Sequence, residues 1–206
     1  MSARQGGVHS MVVRTLPTNR DLSRTPRAPL VPSSVMGMMV FVLTEIMLFA
    51  GFSSAFTILR ANSPVWPPPG QPRLPVAETA LNTVALLASG AALLLARRAY
   101  GRRPSSARRP LLAAMLLGGF FVVAQGREWV QLLGQGLTVR SSALGSFFYL
   151  IVGAHALHAV IALGLLVYVW RRLEQGRLPS SLLGAAEVFW YFVVGVWPFL
   201  YWRVYL

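Results

Sequence analysis

The sequence contains no cysteine, and it has only six acidic residues and three histidines in 206 positions. The lack of cysteine excludes disulfides, haem attachment through Cys-x-x-Cys-His, cysteine-ligated iron–sulfur clusters and thiolate-bound copper. His155 and His158 lie in an apolar segment on one helix face, so they cannot bind one haem iron from opposite sides. A closed copper or di-iron site needs more ligands. We expect this chain itself to bind no metal or haem.

Long apolar runs dominate what is present, since 55% of the residues are hydrophobic and the mean hydropathy is +0.56. The runs are continuous, whereas barrel strands alternate apolar and polar residues. About 20 apolar residues cross a bilayer as a helix. The predicted fold is an all-α integral membrane bundle of five transmembrane helices, with spans at about 34–59, 76–96, 111–133, 143–170 and 182–205.

All nineteen basic residues are arginine, and their distribution predicts the topology. Five precede the first span, six lie between the second and third spans, and three lie between the fourth and fifth, so fourteen fall on one side. The positive-inside rule places the N terminus inside and the C terminus outside. We expect the basic patches to contact anionic lipid, and we expect no nucleic-acid partner because no motif for one accompanies them.

Residues 1–32 are polar and arginine-rich, and they contain four prolines. They lack the apolar core of a cleaved signal peptide, and the prolines disfavour the amphipathic helix of a transit peptide. The sequence therefore predicts two parts, a flexible basic cytoplasmic tail at 1–32 and a five-helix transmembrane domain at 33–206.

Glu45 is a carboxylic acid near the middle of the first apolar run, with no cation within ten residues on either side. A charge at this depth costs roughly 3 kcal/mol on insertion scales. Such a group is usually protonated, buried against a partner or functional, so Glu45 is the first candidate for a functional residue.

Other polar side chains interrupt the later spans, mostly in their predicted outer halves. If these side chains face inward, they could bond to one another. They are Glu78, Asn82, Gln125, Glu128 and His155. His155 and His158 could equally form no more than a hydrogen-bonded histidine pair at a helix interface.

Two further charged residues are expected to have separate partners. Arg127 points to a different side of its helix from Glu128, so the two are not expected to pair directly. Glu187 lies in the predicted inner third of the last span. It could bond a neighbouring helix or a lipid headgroup, or it could be functional.

The order of several motifs resembles subunit III of the haem-copper oxidases. The matching elements, over about residues 35 to 205, are Thr44-Glu45-Ile46-Met47-Leu48-Phe49, Trp66-Pro67-Pro68, Glu78 to Asn82, Gln125 with Glu128-Trp129, Gly145-Ser146 with Phe148, Gly153-x-His155-x-x-His158, and the C-terminal aromatic residues including Trp190 and Trp197. Five helices with an inside N terminus correspond to the short bacterial form of that family.

The last span departs from the family pattern. Tyr191 and Val194 stand where the family usually has His and Asp, and the carboxylate of Glu187 lies about one helical turn away. Pro198 is expected to interrupt the helix. The last span therefore differs from the family where the family's usual contacts are made.

The resemblance implies a non-catalytic subunit of a respiratory terminal oxidase of the cytochrome c oxidase type. It would be a multi-pass protein of the bacterial inner membrane that packs on subunit I, beside subunit II and within a larger supercomplex in some cases. Haem and copper would lie in those partners, where oxygen reduction is coupled to proton translocation. Phospholipid would bind to the bundle.

The resemblance also implies residue roles. The interior proton-linked residues would be Glu45, Glu78, Asn82, Gln125, Glu128, His155 and His158. The residues in contact with lipid or other subunits would be Trp66, Arg127, Glu187, Trp190 and Trp197.

Two alternatives stay open at this point. An accessory subunit of a quinol oxidase or a nitric oxide reductase would have the same helices and motifs. A small proton-coupled transporter could use Glu45 in its pathway, although the sequence lacks the inverted repeats and paired broken helices that are common in transporters.

Overall fold

The computed structural model describes residues 32–65, 72 and 74–205, and all the regular secondary structure of these residues is helical. Its long helices are α1 (Ser33–Ala61), α2 (Val76–Arg102), α3 (Arg108–Gly134), α4 (Ala143–Glu174) and α5 (Ser180–Tyr205). All five are long and apolar enough to cross a membrane, which confirms the predicted fold class. The predicted sidedness stays a prediction.

Several helices are longer than the predicted spans. α2 continues to Arg102 and α4 to Glu174, and a short 3₁₀ turn, Pro104–Ala107, links α2 to α3. Arginine is a good helix former, so the helices continue into the arginine-rich ends beyond the apolar runs. Of the predicted tail the structure describes only Pro32, and the division into tail and bundle stays a prediction.

Helix α5 organises the bundle by contacting α1, α2 and α4. α2 and α3 pack side by side, and α3 packs on α4. The expectation that Pro198 interrupts the last helix is wrong, because α5 runs through it from Ser180 to Tyr205. Membrane helices tolerate proline because neighbouring helices can satisfy the backbone groups that it frees.

Trp190 and Trp197 attach α5 to α2. Both side chains are fully buried. Trp190 Nε1 donates to Ser89 Oγ at 3.1 Å, and Trp197 Nε1 donates to Thr83 Oγ1 at 2.9 Å. The expectation that these two tryptophans contact lipid or another subunit is therefore wrong. Small hydroxyl residues on α2 give the indole N–H groups partners inside the bundle, so the rings pack in the core.

Gly118 on α3 allows the close approach of Trp190. A Cβ at Gly118 would lie 2.5 Å from two ring atoms of Trp190, whereas a Cβ at Gly119 would meet nothing within 4 Å. Because the indole is fully buried and hydrogen-bonded, it cannot move aside freely.

Substituting these two glycines should therefore have opposite effects. We expect Gly118→Ala to lower the free energy of unfolding by about 1–3 kcal/mol, as overpacking does. Gly119→Ala should be neutral or stabilising by roughly 0.5–1 kcal/mol, because alanine favours helix more than glycine does. Thermal unfolding of the purified protein in mild detergent measures both. Equal losses would show that Gly118 has no special packing role.

Candidate functional site

Glu45 on α1 has its partner on α4. The distance from His158 Nε2 to Glu45 Oε2 is 3.0 Å, and the other ring nitrogen, Nδ1, lies 2.7 Å from the carbonyl oxygen of Ala154. The side chain of Glu45 is 16% exposed and that of His158 is 12% exposed. The cost of placing Glu45 in an apolar helix is thus offset by a residue 113 positions away in the sequence.

The hydrogen-bond partners of the imidazole determine how many protons this pair holds. A carbonyl oxygen only accepts, so His158 Nδ1 carries a proton and donates it to Ala154. The contact between His158 Nε2 and Glu45 Oε2 then needs one proton. That proton lies either on the carboxyl group, beside a neutral imidazole, or on Nε2, beside a carboxylate. The pair is neutral overall in both arrangements, which suits an apolar surrounding.

Aromatic rings lie beside the imidazole of His158. The ring centroids of Phe49, Phe192 and Phe189 lie 5.5, 5.9 and 6.2 Å from that of His158. They separate the imidazole from the rest of the bundle by apolar groups, so electrostatic interactions there are weakly screened. This environment strengthens the hydrogen bond between His158 and Glu45.

A second polar group surrounds Glu128 on α3, which is 2% exposed. Its Oε1 accepts from Asn82 Nδ2 at 2.7 Å. Its Oε2 accepts from Gln125 Nε2 at 2.7 Å and lies 2.9 Å from Thr79 Oγ1. Gln125 Nε2 also donates to Tyr205 Oη at 3.1 Å. We call these five residues the Glu128 cluster, and it joins α2, α3 and α5.

Sequence reasoning identified three members of this cluster and missed two. Asn82, Gln125 and Glu128 come together as polar residues facing inward, whereas Thr79 and Tyr205 were not among the predicted site residues. A signal for Thr79 was present, because Thr79, Asn82, Thr83 and Ser89 recur at helical spacing on α2.

Glu78 does not lie in the interior of the bundle, as was predicted for it. Its side chain is exposed, and it lines a groove of about 360 Å³ between α2 and α3 together with Arg127. The buried stripe of α2 passes through Thr79 and Asn82, one step further around the helix, so Glu78 falls at its edge. Arg127 is also exposed, and its contact with lipid or another subunit stays a prediction.

His155 lies apart from the hydrogen bond of His158. It is 1% exposed, and its ring lies 4.8 Å from the ring of Trp197. Its Nε2 has no hydrogen-bond partner among the described residues. The two histidines therefore have different surroundings, and only His158 joins a carboxyl group.

The remaining predicted residues lie elsewhere. Glu187 Oε2 on α5 lies 3.7 Å from Arg97 Nε on α2, so it contacts a neighbouring helix. Trp66 lies outside the described residues. Within the described part of the chain, no group of three or more histidine or acidic side chains could hold a metal ion.

Comparison with known proteins shows to which protein family this membrane bundle belongs. A family model described as cytochrome c oxidase subunit III matches residues 28–206. The chain belongs to the cytochrome c oxidase subunit III family. The match includes both Glu45 and His158 and every member of the Glu128 cluster.

Curated members of the cytochrome c oxidase subunit III family are similar along most of the chain. Cytochrome c oxidase subunit 3 of Pelomedusa subrufa is 34% identical over 182 residues, which are 82% of this chain and 67% of the relative. The subunit 3 of a Synechocystis strain is 32% identical over 177 residues, covering 84% of this chain and 75% of the relative. That of Dasypus novemcinctus is 33% identical over 180 residues.

In this member of the subunit III family, the departures in α5 have a structural counterpart. Val194 is buried, and a Cβ placed at Gly90 on α2 would lie 3.1 Å from its Cγ1. Tyr191 is 38% exposed. Close apolar packing on α2 thus occupies the position of Val194, where a carboxylate would need polar partners.

Proposed function

We propose that this chain is the non-catalytic subunit III of a cytochrome c oxidase in a bacterial inner membrane. It packs on subunit I, with subunit II in the same complex, and the haem and copper lie in those partners. Support comes from the match to the subunit III family and from the five membrane helices. Bound phospholipid and the exposed Arg127 contribute to the contacts of the bundle with its surroundings.

The Glu45–His158 pair supports a role in proton transfer. It holds one proton between a carboxyl group and an imidazole, in a part of the bundle lined by phenylalanine rings. A pair of this kind gains or releases a proton with little change in position, because both heavy atoms are already in contact. We infer that it sustains proton uptake by the oxidase, whose oxygen chemistry takes place in subunit I.

An isosteric substitution tests this role. Glu45→Gln keeps a group that can donate to His158 Nε2 but removes the carboxyl proton. We expect the complex to assemble with an unchanged haem spectrum, while proton uptake slows and activity decays faster during continuous turnover. Stopped-flow proton uptake and oxygen consumption over many turnovers are the measurements.

Glu78→Gln is the matched control, because it makes the same chemical change at an exposed carboxyl group. It should leave proton uptake and the time course of activity unchanged. If Glu45→Gln also behaves like the wild type, the pair has no role in proton transfer, and its purpose is structural.

A further inference from the structure

The hydroxyl group of Thr79 on α2 lies between two oxygen atoms. Its Oγ1 is 2.8 Å from the carbonyl oxygen of Pro75 and 2.9 Å from Oε2 of Glu128. Both distances are those of hydrogen bonds between oxygen atoms. Because a hydroxyl group has a single hydrogen, Thr79 can donate to only one of the two oxygens. The other contact needs a hydrogen from the other partner.

The chemistry of the two partners decides which contact that is. The carbonyl oxygen of Pro75 can only accept, so the hydrogen in that contact comes from the Thr79 hydroxyl. A carboxyl group can donate once it is protonated. The hydrogen between Thr79 and Glu128 therefore belongs to Glu128 Oε2. The two contacts together form a chain of hydrogen bonds from Glu128 through Thr79 to Pro75.

The other hydrogen bonds of Glu128 agree with a protonated carboxyl group. Asn82 Nδ2 donates to Oε1 and Gln125 Nε2 donates to Oε2, both at 2.7 Å. The hydroxyl oxygen of a carboxylic acid can accept one hydrogen bond while it donates another. Oε2 can thus accept from Gln125 and donate to Thr79 at the same time.

Burial and charge favour the same arrangement. Glu128 is 2% exposed, and no ion pair among the described residues includes it. The charged side chains in the groove beside it, Glu78 of α2 and Arg127 of α3, are exposed and opposite in sign. α5 contributes the phenol of Tyr205, whose Oη accepts from Gln125. A buried charge is costly unless it is paired, so the neutral acid is the more stable form here.

We propose that Glu128 is a proton-binding site inside the bundle, where its carboxyl group carries a proton on Oε2 and donates it to the Thr79 hydroxyl. The site also has a defined second state. When the proton leaves to bulk water by way of the groove that Glu128 lines, the Thr79 hydroxyl turns from Pro75 to the carboxylate. The carbonyl oxygen of Pro75 keeps the backbone N–H of Thr79 at 3.1 Å. Exchange of the proton thus needs only the rotation of one hydroxyl group.

Infrared absorption of the purified complex at neutral pH tests the proposal, because a protonated carboxyl group has a C=O stretching band that a carboxylate lacks. The spectrum of the wild type minus that of Glu128→Gln should show the loss of one carboxylic acid group and no loss of carboxylate bands. Loss of carboxylate bands instead would overturn the proposal.

Glu174→Gln is the matched control for this measurement, since it makes the same chemical change at an exposed carboxyl group that lies 3.0 Å from Arg108. It should lose carboxylate bands alone. The proposal goes beyond the proposed function and does not rest on it. The bands report the proton on Glu128, whereas the proposed function places proton transfer at the Glu45–His158 pair, so either can fail while the other holds.

Variants of Thr79 test the direction of its hydrogen bond with Glu128. Thr79→Val removes the hydroxyl, so the acid hydrogen of Glu128 loses its acceptor and the C=O band should move to higher frequency. Thr79→Ser keeps a hydroxyl and should leave the band in place. A band that Thr79→Val does not shift would show that Glu128 does not donate to Thr79, and would overturn the chain.

If Glu128→Gln fails to assemble, the Thr79 variants still decide the matter in complexes with ¹³C-labelled glutamate. The band that responds to Thr79→Val should then also move with the label, which identifies it as a glutamic acid. A labelled complex in which no glutamic acid band responds to Thr79→Val would contradict the proposal.

Discussion

Replacing Glu128 with leucine is expected to cost about 2–6 kcal/mol in the free energy of unfolding, because it leaves two buried amide N–H groups without their acceptor. Glu128 forms hydrogen bonds with Asn82, Thr79 and Gln125. With leucine in its place, the amide N–H groups of Asn82 and Gln125 stay buried but lose this acceptor, at about 1–3 kcal/mol each. The Thr79 hydroxyl can still donate to the carbonyl oxygen of Pro75. Thermal unfolding of the purified complex, followed by tryptophan fluorescence, measures the loss.

Glu78→Leu is the control for this prediction, since Glu78 is exposed and lies in the same part of the bundle. Its effect should stay within about 0.5 kcal/mol, as for most surface substitutions. Glu128→Gln should fall between the two, because its oxygen still accepts while its amide faces other donors. Equal effects of Glu78→Leu and Glu128→Leu would refute the central role of the cluster.

Replacing His158 with leucine should have the second largest effect. It leaves Glu45 on an apolar helix without its partner, and a carboxylate at this depth costs roughly 3 kcal/mol. α1 packs mainly against α5 and α4, so the loss should loosen α1 from the bundle. We expect less of this chain in the purified complex, measured by quantitative mass spectrometry of the subunits.

A double-mutant cycle identifies the cause of that loss. Combining Glu45→Met with His158→Leu removes both polar partners, so the double variant should be more stable than His158→Leu alone. Simple addition of the two single effects would mean that Glu45 and His158 do not interact, which would contradict the pair.

The helices can be predicted from the sequence, because each is a long apolar run bounded by prolines, glycines or arginines. It also identifies Glu45, Asn82, Gln125 and Glu128 as polar residues that need an explanation inside a membrane. It does not identify the partner of Glu45. His158 is 113 residues away and on another helix, so only the packing of α1 on α4 brings the two together.

The wrong expectations have a common physical cause. Trp190 and Trp197 were assigned to lipid or subunit contact from the resemblance of the C-terminal aromatic residues to the subunit III family. Ser89 and Thr83 on α2 bond their indole N–H groups inside the bundle instead. Glu78 was assigned to the interior as a polar residue of an apolar span and by the same resemblance, but the buried stripe of α2 passes through Thr79 and Asn82. Which side of a helix is buried depends on neighbours that a single segment does not show.

The most direct measurement is purification through this chain in mild detergent, with mass spectrometry of the co-purifying proteins and a reduced-minus-oxidised optical spectrum. The account predicts a haem-bearing subunit I and a subunit II with copper, in constant ratio to this chain. A complex that contains haem but whose subunit II carries no copper would indicate that quinol is the electron donor. It would contradict the assignment to a cytochrome c oxidase. A monodisperse, haem-free protein without large partners would contradict the assignment to an oxidase altogether.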